Sequence, residues 1–186
     1  MLLLALGVVL TASLHLVAAV PSLKSRIKAR VGDRAYGPLF GIASLIGIAV
    51  IVIGWRASGF VPVYDPPAWG RHANFLLTLI AFICLGIFLF RGSWRQTLRF
   101  PMAFAVIFWS IGHLLANGDL ASIILFGGFL VYAVLHILIG ISNGVRPSPE
   151  AREGHNLLSV FAGLALYGVM IQAHHALIGV PVFQLN

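Results

Sequence analysis

Apolar residues in this chain fall in six long, nearly unbroken runs rather than in stripes or alternations. The runs are about 1–20, 38–55, 73–90, 101–117, 120–142 and 156–180. Each matches the roughly 17–25 residues that an α-helix needs to cross a hydrocarbon layer about 30 Å thick. Within such a layer every backbone N–H and C=O must be satisfied inside the segment, so a helix is the expected form. A helix facing lipid is apolar on most sides, which accounts for the weak 3.6-residue periodicity. The pattern predicts an all-α polytopic transmembrane bundle of six helices forming one domain, residues 1–186.

The polar positions lie between the runs and decide orientation. The first connection, 21–37, holds Lys24, Arg26, Lys28, Arg30 and Arg34. The third holds Arg91, Arg95 and Arg99, and the fifth Arg146 and Arg152. The second holds only Arg56 and Arg71, and the fourth is Gly118–Asp119. Basic loops stay in the cytoplasm, so the odd connections are expected inside and both termini outside. This is the expected arrangement in a bacterial inner membrane, with the outer side the periplasm in a Gram-negative cell. The first run has no positive residues before it and a positive cluster after it. That order is the reverse of a cleaved signal peptide, so the run is read as a retained helix.

Composition agrees and removes other classes. Of 186 residues, 60% are hydrophobic and 9% charged, with a mean hydropathy of +0.99. A soluble domain carries about 25% charged residues. The net charge of +7 is no sign of nucleic-acid binding, because most of the basic residues sit in the odd connections and the cluster lacks base-stacking aromatics. Contact of that cluster with lipid headgroups is the expected role. The single cysteine, Cys84, excludes an internal disulfide, a C-x-x-C pair and covalent C-x-x-C-H haem attachment. Gly127–Gly128 and the Gly41/Gly47 region are expected at close helix contacts.

The histidines, seven against five acids, are the chemical oddity. Ionisable residues within spans are costly and tend to face the bundle interior. His15 lies near the end of the first run. The fourth run carries Ser110, His113 and Asn117 at i, i+3 and i+7, one stripe of a helix, with Trp109 a turn before His113. The fifth carries Tyr132 and His136, and the sixth His174 and His175. The last two point roughly 100° apart, so at most one of them faces a given centre. His72 and His155 start their runs, where water can solvate them. The orientation puts His15 and His136 in the cytoplasmic half, and His113, His174 and His175 in the outer half.

Four chemistries use such residues. A b-type haem needs one or two imidazoles in an apolar cleft between helices. Zinc wants three or four ligands, commonly with carboxylates. A proton relay wants Asp or Glu chains. A nucleophile wants an adjacent base and an orienting group. The scarcity of carboxylates favours haem b. The competing reading makes each histidine an interhelical hydrogen-bonding residue with no ligand role.

Two segments resemble the NnrU family. The first runs from Ser13-Leu14-His15 through the basic cluster to Val31-Gly32-Asp33-Arg34-Ala35-Tyr36, matching a terminal-span histidine and a G-[DE]-R-x-Y signature. The second is Arg99-Phe100-Pro101-Met102 followed by Trp109-Ser110-Ile111-Gly112-His113-Leu114-Leu115-Ala116-Asn117-Gly118-Asp119, which looks like the family's R-H-P…W-x-x-x-H-x-x-x-N-G-D stretch. With the helix pattern, the resemblance covers the chain to about Arg146. The family is linked to bacterial denitrification. Its relative, the plant zeta-carotene isomerase, is a membrane enzyme with b-type haem that turns a polyene double bond from cis to trans. The resemblance implies His15 and His113 as haem ligands. It departs at Ser110, where the relative has an alternative cysteine ligand, and at Phe100, where the family has histidine. Helix rise sets His15 and His113 roughly 10 Å apart in depth, whereas His15 with His136, or His113 with His174 or His175, lie level.

The expectation is therefore a haem-binding inner-membrane protein with a redox or isomerase role, denitrification-linked or acting on a polyene. Its partners would be the bilayer, a hydrophobic small molecule, and a membrane protein or a second copy. Trp109, Ser110, Asn117 and Tyr132 would support the ligands. The alternative is a non-enzymatic accessory or assembly subunit of a larger membrane complex. The R-x-P start also suits membrane methyltransferases, but those need an acid after the last span, and 182–186 contains none.

Overall fold

A computed structural model describes residues 1–147, 150–180 and 182. The end of the chain beyond Val182, on which the argument against a methyltransferase drew, lies outside the described residues. Among the described residues the structure is helical, and the sole β-type pairing is one isolated bridge, Pro62 to Asp119.

The helices are α1 (Leu2–Ala19), α2 (Pro21–Val31), α3 (Asp33–Arg56), α4 (Gly70–Phe90), α5 (Ser93–Leu98), α6 (Pro101–Ala116), α7 (Leu120–Ser142) and α8 (His155–Ile178). Helices α1, α3, α4, α7 and α8 are long and apolar enough to span a membrane. The sixth expected span, α6, is equally apolar but has only 16 residues. Pro101 starts it at a position where a missing N–H costs nothing, and the extended backbone of Asn117 ends it.

Two boundaries differ from the hydropathy pattern. The first connection is mostly helical. Pro21 opens α2, good helix formers fill it, and Gly32 at φ 85° closes it, a conformation that only glycine adopts freely. Helix α3 starts at Asp33, so Pro38 lies inside it rather than at its start. In α7, Ile123–Gly127 form a π-helical segment. Such wide turns shift the phase of the residues that follow and are frequent at functional sites.

Small residues let the helices approach. A methyl at Gly47 would meet Thr11, one at Gly128 would meet Val8, and one at Gly163 would meet the α4 backbone at Ile83. Gly41 and Gly127 have open space instead, so half of the expected glycine contacts form. Helix α4 packs on α6 and α8, α1 on α3, and α7 joins the two groups through α1 and α6.

The connections collect at two ends. At the basic end the Arg152 amide donates to the Arg91 carbonyl at 3.2 Å, and Arg99 Nε donates to the Val145 carbonyl at 2.7 Å. At the other end residues 57–69 form a strap across the Gly118 turn. Val63 and Tyr64 amides donate to the Gly118 carbonyl, and the Leu120 amide donates to Val61.

Candidate functional site

A cavity of about 530 Å³ opens at the strap end between α3, α4, α6, α7 and α8. His113 and His174 both line it. His113 is on the last full turn of α6, and its Nδ1 lies 2.9 Å from the Trp109 carbonyl. A carbonyl only accepts, so Nδ1 carries a proton, and in the neutral ring that leaves Nε2 as the bare nitrogen. His174 Nδ1 is tied in the same way to the Val180 carbonyl at 2.6 Å. A backbone hydrogen bond on one ring nitrogen is the usual arrangement behind a metal-ligating histidine, fixing tautomer and ring orientation.

Aromatic rings fix the His113 plane. Phe126, in the π-helical segment, stacks on it at 4.4 Å with 22° between planes. Trp109 touches both, at 5.3 Å from His113 and edge-on at 4.8 Å from Phe126. Trp55 meets Phe126 edge-on at 6.4 Å. Asn117 caps α6, donating from Nδ2 to the His113 carbonyl at 2.9 Å. The Tyr64 hydroxyl donates to the Leu114 and Asn117 carbonyls, so the strap satisfies the open end of α6. Partial burial, with the Asp119 charge second, raises the Tyr64 phenol above its ordinary value and keeps it protonated as that donor.

Polarity along the cavity is graded. Arg71, Asn74, Thr78 and Phe82 occupy one stripe of α4 and all line it. Arg56 joins Arg71 at the water-facing end, and Ile51, Leu125 and Met170 line the rest with Phe82. Thr78 Oγ1 donates to Asn74 Oδ1 at 2.9 Å, and Tyr167 Oη to the Phe75 carbonyl at 3.1 Å.

The second histidine group lies at the basic end. His15 Nδ1 is bound to the Thr11 carbonyl at 2.9 Å. Its ring meets Phe40 at 5.1 Å and Tyr132 at 6.1 Å. Tyr132 in turn meets His136 at 5.8 Å, and His136 meets Phe100 at 6.3 Å. His136 Nδ1 is buried without a partner. None of these residues lines the strap-end cavity.

The structure thus puts His113 and His174 on one cavity, and His15 and His136 each against Tyr132. It does not bring His15 to the cavity of His113: α1 and α6 run through the bundle in opposite senses, and their histidines sit near opposite ends. Of the adjacent pair only His174 lines the cavity, and His175 is exposed. Trp109 and Asn117 line the cavity; Ser110, on the same helix, is fully buried elsewhere with Oγ unpartnered. Hydropathy reasoning missed Phe126, Tyr167 and the Arg71–Asn74–Thr78 stripe. The stripe had a signal, polar residues at steps of three and four leading into an apolar run. Phe126 had none, because its placement depends on the π-helical segment.

A family model described as NnrU protein matches residues 3–182. Searches of curated proteins and of solved structures gave no match.

Proposed function

The chain belongs to the NnrU family, and from this premise we propose that it is an integral membrane protein holding a b-type haem in the strap-end cavity, with His113 and His174 as its ligands. The observation that carries the proposal is two histidines on one cavity, each with Nδ1 bound to a carbonyl and no partner for Nε2 among the described residues. The donor set suits haem. Among the described residues no three His, Cys, Asp or Glu side chains converge, so two imidazoles are what the chain offers a metal. When bound, the haem would supply a redox-active, Lewis-acidic iron whose potential follows the histidines that hold it. Trp109 and Val180 carbonyls hold the imidazole orientations, and Phe126 holds the His113 plane.

The role is redox or isomerase chemistry on a small or lipidic molecule. The basic end faces the cytoplasm of a bacterial inner membrane, by the bias of its loops, and the cavity opens on the outer side. The test is the absorption spectrum of the protein purified in mild detergent. A Soret band that shifts with dithionite is expected. A colourless preparation from haem-replete cells contradicts the proposal and favours the accessory-subunit reading, with the histidines as bundle hydrogen-bonding groups.

A further inference from the structure

The strap-end cavity is polar at one end only. Arg56 ends α3 and Arg71 lies in the first turn of α4; both are exposed and both line the cavity at the strap end. The ion pair found among the described residues, Lys28 to Asp33, lies at the opposite end of the bundle, and neither arginine has a described acid within 4 Å. From Arg71 the α4 stripe runs through Asn74 and Thr78 to Phe82, from charge through amide and hydroxyl to hydrocarbon. Two guanidiniums at one end of a cleft whose other end is hydrocarbon match a ligand with a large apolar body and ionised oxygens at one edge. Such oxygens are tolerated only where water and cations meet them. The arginine fork suits carboxylates in particular.

We propose that Arg56 and Arg71 are the anchoring residues for the two carboxylates of an iron porphyrin, setting it in the cavity with its carboxylate edge toward the strap end and its apolar edge toward Phe82. This rests on the haem reading above and adds the ligand's orientation and the source of its discrimination. The histidines choose iron. The arginines choose a diacid over an equally apolar neutral porphyrin.

The experiment uses the full chain, purified in detergent from haem-deficient cells. It is titrated with iron protoporphyrin IX or with its dimethyl ester and followed by the Soret band. The wild type is expected to bind the diacid about tenfold more tightly than the diester, the scale of two partly exposed ion pairs. In the double variant R56Q/R71Q that preference disappears: diacid affinity falls about tenfold while diester affinity stays within twofold. Equal wild-type affinity for the two ligands overturns the assignment and leaves the haem reading standing. A double variant that loses both ligands equally also overturns it, because a damaged fold and not a lost anchor then explains the change. If neither ligand binds the wild type, the haem reading falls and the orientation falls with it.

Discussion

At the strap end, His113 and His174 border open volume; at the basic end, His15 and His136 are packed around Tyr132, Phe40 and Phe100. The pairs are alike in part: His15 carries the same Nδ1-to-carbonyl bond as His113, while His136 Nδ1 is buried without a partner. What separates them is what stands in front of the free nitrogen. One pair faces a graded cavity, the other faces aromatic rings. A bridge of rings joins the two regions, from His15 through Tyr132, Phe129 and Trp109 to His113, in steps of 6.1, 6.2, 6.0 and 5.3 Å. The lesson is that histidine count and spacing nominate sites, while space between helices selects among them.

The largest effect should come from forcing the walls of that space apart. Gly163 abuts the α4 backbone, so Gly163→Leu pushes α8 from α4 and dismantles the His174 wall. We expect a loss of about 2 kcal/mol or more, read as a marked fall in thermal stability in detergent. Gly168→Leu on the same helix has open space around it and should stay near wild type. Equal behaviour of the two would break the account of the cavity's walls.

Next comes the adjacent histidine pair. His174→Ala should retain a haem band of five-coordinate character with occupancy down about tenfold, while His175→Ala leaves the spectrum unchanged. A reversed pattern would place the wrong ring in the cavity. Smaller is Phe126→Ala, which removes the ring stacked on His113. Haem affinity should weaken by roughly two- to tenfold, the range of an aromatic contact, with the same ligand set by electron paramagnetic resonance. Smallest is His136→Ala at the basic end. It should leave haem content unchanged and shift stability by no more than about 1 kcal/mol, measured by thermal unfolding. A loss of haem there would erase the contrast between the two ends.

The spans were readable because a membrane demands length and apolarity, and both are local properties of the chain. Run 120–142 coincides with α7, and 101–117 differs from α6 by one residue. The basic connection was less readable. Its helicity rests on Pro21 and Gly32 acting as start and stop around residues whose polarity suggested a loop. A fixed rise per residue converts position into height, which put His113 level with His174 or His175 and His15 level with His136; His113 and His174 do line one cavity. The family resemblance pointed instead to His15 with His113, which the structure places toward opposite ends. The stacking of Phe126 was beyond reach, since a π-helical segment changes which residues share a face and leaves no mark in hydropathy.

The central claim is that haem sits on His113 at the strap end and not on His15 at the basic end. The direct measurement is haem content per protein, by absorption of the reduced pyridine complex, for purified wild type, His113→Ala and His15→Ala side by side. The account predicts that His113→Ala is depleted of haem while His15→Ala matches the wild type. Depletion in His15→Ala with full occupancy in His113→Ala would contradict it.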